Sequence, residues 1–213
     1  MRRWLFIIAC AFAVLAAAWA RPRPAYAQRS PARDNAVASP EGVMSACDGA
    51  AASVRSCDGA ALNAIDAARA GEALGPLALP PGYARMDLAG QLVALTNAER
   101  VARSLPPWEG PDGALGGLAR RGADAGADPG GPAGSQWVSN LAAGVLTALQ
   151  ADYEWMYDDG PGGPNTACSA PGSSACWAHR ANLLRPWAGR IGAAGRRADD
   201  GRFAVAELMV ETA

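Results

Sequence analysis

Tyr153-Glu154-Trp155-Met156-Tyr157-Asp158-Asp159-Gly160 and Trp177-Ala178-His179-Arg180-Ala181-Asn182-Leu183-Leu184 are the two runs that decide how this chain folds. Between them lie Pro161 to Asn165 and the cysteines Cys168 and Cys176, in a segment too rich in Gly, Pro, Asn and Ser for helix or strand. The first run carries an Asp pair and a Trp; the second carries another Trp and the chain's only His. The two cysteines are the evident means of holding the loop between them.

Two more cysteines, Cys47 and Cys57, lie upstream, and Cys10 sits within an apolar run, Trp4 to Ala18, behind a basic head, Met1-Arg2-Arg3. Ala25-Tyr26-Ala27 is a small-x-small cleavage pattern, so residues 1–27 read as a signal peptide, with Ala18-Trp19-Ala20 as a second cut site and a retained anchor as the alternative. Cleavage leaves Cys47, Cys57, Cys168 and Cys176, and four cysteines in an exported chain favour two disulfides over metal ligation. Three pairings are open, the nearest-neighbour one being simplest. Ten helical residues span about 15 Å, whereas bonded cysteines need Cα atoms within about 7 Å, so a Cys47–Cys57 bond requires the chain to turn, with Gly49 the candidate.

All nineteen basic residues are Arg. Losing residues 1–27 removes four of them and no acid, leaving fifteen Arg against twenty acids, a net charge of −5. A mildly acidic chain without a basic run is a poor partner for nucleic acid or an anionic membrane surface.

Residues 28–40 are polar and Pro-containing and read as a flexible leader. Ala60 to Ala73 predicts a helix with Leu62 and Ile65 inward, closed near Gly71 to Pro76, before the break at Pro80-Pro81-Gly82. Leu88, Leu92, Leu95, Glu99 and Ala102 define the clearest helix, capped by Asp87, with Glu99 and Arg103 spaced to pair on its surface. Ala114 to Ala125 predicts a short helix, and Ser139 to Glu154 another, with Leu141, Val145, Leu149 and Asp152 along one side. Ser173 or Ser174 is placed to cap a helix running to Leu184. Ile191 to Ala194 and Phe203 to Val210 read as strands around an Asp199-Asp200-Gly201 turn, and the apolar run of the second predicts cover on both faces. The class is α+β.

His179-Arg180-Ala181-Asn182-Leu183-Leu184, then Pro186 and Ile191-Gly192, resembles the bacterial branch of the CAP superfamily (cysteine-rich secretory, antigen 5 and pathogenesis-related 1 proteins). Leu95-Thr96-Asn97-Ala98-Glu99-Arg100 is similar to the family's first-helix Asn-x-x-Arg pattern, Leu105-Pro106-Pro107 resembles the segment after that helix, and Trp155 stands where the family has a Trp ahead of the His. The stretch from Trp155 to Trp177 resembles a group of exported actinobacterial proteins. The resemblance spans about Leu88 to Val210. It implies a three-layer α-β-α sandwich, a small, mainly antiparallel sheet covered by helices on both faces. The expected organisation is a signal peptide (1–27), a leader (28–40), an N-terminal helical extension (41–86) and a CAP-like domain (87–213). Many members line a groove with two His and two acids able to hold a zinc-type ion. Here His179 matches the second His, Asp158 or Asp159 lies near one acid, Val138-Ser139-Asn140 replaces Gly-Glu-Asn, and the first His has no counterpart. Two ligands of four do not hold zinc, so no metal or other cofactor is expected.

His179 has three readings: a half-buried ring bonded to a carboxylate and a carbonyl, a base oriented by Asp158 or Asp159, or a metal ligand. Ser135 or Ser139 could supply a nucleophile, though neither sits in a Gly-x-Ser-x-Gly elbow. Asp158, Asp159 and Asn165 offer oxygens to calcium, but without the spacing of a calcium-binding loop they read as turn residues. Trp137, Trp155, Trp177 and Trp187, with Tyr153 and Tyr157, read as core first and as groove lining second. The expected function is an exported binding or structural module with an incomplete groove formed by His179, Asn140, Trp155, Trp177 and Asn182. Its expected partner is a small ligand, a lipid or a cell-envelope component, and the chain is expected to be monomeric with no membrane span after cleavage. The alternative is a hydrolase using His179, Asp158 or Asp159, and Ser139 or a water.

Overall fold

Three strands, β1 (Trp137–Val145), β2 (Gly189–Arg197) and β3 (Phe203–Glu211), form an antiparallel sheet in the order β1-β3-β2, joined at one edge by a parallel bridge between Glu109 and Arg190. The computed structural model describes residues 31–212; the signal-peptide reading of residues 1–27 lies outside the described residues. The helices are α1 (Glu41–Asp48), α2 (Val54–Gly71), α3 (Leu88–Ala102), α4 (Gly113–Ala125), α5 (Ala148–Tyr157) and α6 (Ala178–Leu183).

The middle strand dictates the layering. Along β3, Ala204, Ala206, Leu208 and Val210 pack on Leu115, Ala119 and Ala123 of α4, while Val205 and Met209 join the main core beneath α3 and α5. Alternation with both faces apolar makes this strand a covered one, so the α+β sandwich read from the sequence is the fold observed. The α4 face is built from small residues because helix and sheet approach closely: a Cβ at Gly192 of β2 would overlap the backbone of Leu115 and Gly116. The other face is thicker and holds Leu92, Leu95, Trp155, Met156 and Ile191. Val43, Cys57, Ala61 and Ile65 of α1 and α2 belong to this same core.

Local caps fix most helix starts. Ser53 and Ser56 form a capping box on α2, and the side chains of Asp87, Asp112 and Thr147 accept from amides in the first turns of α3, α4 and α5. Both nearest-neighbour disulfides are present, Cys47–Cys57 and Cys168–Cys176, with α1 ending at Gly49 as the first requires.

Four expectations are corrected. Residues 139–154 are not one helix: β1 runs to Val145 with a bulge at Ala143/Val145, and α5 starts at Ala148 behind the Thr147 cap. A helical apolar stripe that also fits an edge strand went to the strand, because β3 supplies eight cross-strand partners from Trp137 to Val145. Glu99 and Arg103 pair in the interior, Glu99 being fully buried, because Tyr157 of α5 and Arg69 of α2 meet it there. The Ser173 hydroxyl accepts from Ala175 in a turn, and the helix starts only at Ala178. The described leader residues are held, not free: Asn35 donates to Ala68 O and Glu72, Val37 N–H to Tyr157 O, and Arg180 Nε to Ala32 O.

Gly192→Ala is therefore expected to destabilise the fold by about 1–3 kcal/mol through overpacking, read from the midpoint of urea unfolding. Retained stability would show that α4 can lift from the sheet without loss.

Candidate functional site

α5 ends at Tyr157, and the chain leaves the core through Asp158 and Asp159. It then loops out and returns at Trp177, whose N–H donates to Asp159 O at 2.9 Å. Trp177 sits in the left-handed region with φ 64°, covers Gly160, and packs with the Cys168–Cys176 bridge. The insertion is thus closed at its neck by Asp159, and its returning limb is closed on itself by the disulfide that packs on Trp177.

Asp159 is fully buried and accepts four hydrogen bonds. Its Oδ1 accepts from His179 Nδ1 at 2.7 Å and Asn165 Nδ2 at 2.7 Å; its Oδ2 accepts from the backbone N–H of His179 at 2.8 Å and of Arg180 at 3.3 Å. One carboxylate therefore caps α6, pins the insertion and orients the imidazole. With Nδ1–H spent on Asp159, the ring presents Nε2, which has no partner among the described residues. The His179 side chain remains 19 % exposed.

That ring lines a cleft of about 430 Å³ along the β1 edge of the sheet, with Asp128, Glu154, Trp155, Asn165 and Thr166 among its other walls. Burial raises Glu154 to about 8; the amide of Gln150 opposes this, the charges of Asp48 and Asp158 add to it, and Arg202 opposes it. Burial also raises the Asp128 carboxyl, against an opposing effect of the His179 ring. The indole N–H of Trp155 has no partner among the described residues.

Of the residues singled out in the sequence, His179 and Trp155 line the cleft and Asp159 stands behind it. Asp158 does not orient the ring; it accepts from Tyr153 Oη at 3.3 Å. Ser139 does not reach the cleft: it is buried on β1, paired opposite Leu208, and its carbonyl accepts from Asn182 Nδ2. Asn140 is fully buried, donating to His179 O at 3.2 Å and accepting from Asn182 at 3.1 Å, so both asparagines moor α6 to β1 instead of facing a ligand. Trp177 belongs to the insertion, not to the cleft wall. Asp158, Asp159 and Asn165 do not form a calcium loop, since the Asn165 amide donates to Asp159. Among the described residues no group of three or more His, Cys, Asp or Glu is arranged to hold a metal ion.

Asp128 and Glu154 carry no signal in the sequence. Glu154 follows Tyr153 on α5 without a motif, and Asp128 lies in an ordinary Asp-Pro-Gly loop; only the fold brings them together. A second recess of about 650 Å³ lies along α3, walled by Met86, Val93, Ala98, Val101 and Pro111, and shares no lining residue with the His179 cleft.

Comparison with family models, with curated proteins and with solved structures returned no match.

The buried carboxyls set a pH dependence of stability. Burial raises Glu207 to about 8 against the hydrogen bond from Thr96, and Glu154 is raised to about 8, each from 4.5. Between those values the folded chain keeps protons that the unfolded chain has lost, so stability falls as pH rises through that window. Glu72 acts oppositely: burial pushes it up, but bonds and charge from Arg103 and Arg180 outweigh this and leave it at about 2. Its contribution is full above 4.5 and is lost as pH falls toward 2. Urea unfolding should give greatest stability near pH 5, and Glu207→Gln should flatten the decline toward pH 8, gaining about 1–3 kcal/mol there. A second expectation concerns Asp159→Asn, which keeps one oxygen acceptor where two now serve four donors. It should cost about 2–4 kcal/mol and disturb the Nδ1–H tautomer, as seen in imidazole ¹⁵N shifts.

Proposed function

We propose that this chain is an exported CAP-like domain that acts as a binding module, with the cleft at His179 as its ligand site. The observation that carries the reading is the ring itself: a fixed tautomer, locked by a buried carboxylate, with Nε2 turned to an open cleft. With Nδ1 committed to Asp159, Nε2 is the polar atom of the ring left open to a ligand.

The residues behind the CAP resemblance support it by what they do. Asn97 exchanges two hydrogen bonds with the backbone of Trp108, and Arg100 donates to the carbonyls of Pro106, Leu183, Arg185 and Trp187. His179, Asn182 and Asn140 join α6 to β1. These bonds give each element of the pattern a structural reason. Two disulfides support export to an oxidising compartment, and among the described residues no helix is long and apolar enough to cross a membrane.

A hydrolase is the second reading, favoured by the 2.7 Å contact between His179 Nδ1 and Asp159, the geometry of a base and its orienter. Its nucleophile would be water: the one hydroxyl side chain among the lining residues is that of exposed Thr166, and all four described cysteines are in disulfides. Binding is preferred because a base–acid pair without a built nucleophile or an evident oxyanion site accounts for recognition more fully than for turnover.

The single His makes the test direct. A panel of sugars, amino acids, short peptides and fatty acids is titrated into labelled protein while the imidazole and Trp155 indole resonances are followed. Ligands should move both sets, and His179→Ala should abolish or weaken binding at least about tenfold, or 1.4 kcal/mol. Shifts confined to the α3 recess would remove the His179 cleft as the site. Turnover of 4-nitrophenyl esters lost in both His179→Ala and Asp159→Asn would favour the hydrolase.

A further inference from the structure

The walls of the His179 cleft are one-signed. Asp128 and Glu154 contribute carboxyl groups, Asp159 lies behind the imidazole, and no Arg is among the lining residues. Acidic walls alone would not define a ligand, but Glu154 adds a second observation. Its residue is 8 % exposed, its Oε1 accepts from Gln150 Nε2 at 2.9 Å, and its Oε2 has no hydrogen-bond partner among the described residues. A carboxyl group on a residue more than nine-tenths buried, with one oxygen that no donor of the described residues reaches on the wall of a cleft, is open to a donor from a ligand in place of water.

The base nearest in charge terms, Arg202, is not that donor. Its guanidinium is engaged by Asp48 Oδ1 at 2.8 Å, Gly144 O at 2.7 Å and Cys47 O at 2.9 Å. The other charged groups acting on Glu154 are Asp48 on α1 and Asp158 at the end of α5, both acids. The two carboxyl groups on the cleft wall therefore ask for positive charge carried on N–H donors, while the Trp155 indole N–H, without a partner among the described residues, is a free donor beside them.

We propose that the cleft binds an organic cation, an ammonium or guanidinium group seated between Glu154 and Asp128 with His179 Nε2 beside it. This rests on the reading of the cleft as a ligand site and names the ligand's chemistry. A volume of about 430 Å³ suits a small amine with several carbons, its apolar part lying against Leu141, Ala142 and Trp155. Binding draws the proton from Glu154 as the cation replaces it, so affinity is tied to pH.

The experiment uses three molecules of one length: butane-1,4-diamine, butane-1,4-diol and succinate, with EDTA present throughout so that metal ions play no part. Binding is followed on the His179 imidazole and Trp155 indole resonances of the full exported chain. The diamine should bind saturably, with affinity rising up to about tenfold per pH unit below pH 8 and levelling above it. Glu154→Gln, isosteric and still able to accept from Gln150, should weaken it at least about tenfold, Asp128→Asn several-fold, and the pair should abolish it. An unchanged backbone amide spectrum away from the cleft in each free variant shows that the fold is intact. The proposal is overturned if the diol or succinate binds as tightly as the diamine, if the diamine binds equally to both variants, or if it moves neither resonance at tens of millimolar. In the first of these cases the cleft remains a ligand site and only its assigned chemistry fails.

Discussion

Four donors converge on the Asp159 carboxylate, and the half of the molecule that holds the His179 cleft depends on that convergence. Two are backbone amides that open α6, one is the Asn165 amide from the insertion, and one is the imidazole. A buried carboxylate is tolerated only when its lone pairs are occupied, so the four bonds stand or fall together. The same oxygen, Asp159 Oδ1, that fixes the ring's tautomer also fixes where the insertion attaches. The cleft's shape and its chemistry are therefore set by one group.

Behind the site, arginines take the place that apolar side chains hold in most cores. Arg100 is fully buried, stacks over Trp108 at 4.2 Å, and gathers carbonyls from the end of α6 and from the link between α6 and β2. Arg69 and Arg103 meet at Glu99, which also accepts from Tyr157; Arg103 and Arg180 meet at Glu72. Planar guanidinium groups, with five donors each, can knit loop carbonyls and carboxylates in a way a lysine could not. Asp152 is the exception: fully buried, raised by burial and by the charges of Glu99 and Glu207, with both oxygens unpartnered among the described residues.

Legibility in the sequence divides along physical lines. Strong local signals survived: the Asp87 cap and apolar period of α3, the Asp-Gly turn before β3, the cystine pairs and the doubly covered strand. The apolar stripe from Leu141 to Leu149 misled because alanine- and glycine-rich sequence fits helix and strand alike, and pairing with β3 decided the matter. Of the site, His179 and its acidic partner were legible as types but not as a pair, since Asp158 and Asp159 differ only in which way one residue's rotation sends the side chain. Glu154 and Asp128 were invisible, being ordinary until α4, β1 and α5 are assembled.

The two cystines close segments of only 10 and 8 residues. Each partner is the nearest thiol along the chain, so either bond can form as soon as its own short stretch enters an oxidising compartment, before the sheet exists. β3, which completes that sheet, is the last strand to emerge. Oxidation can thus run from the amino end to the carboxyl end without waiting for tertiary contacts, and mispairing is discouraged by distance along the chain alone.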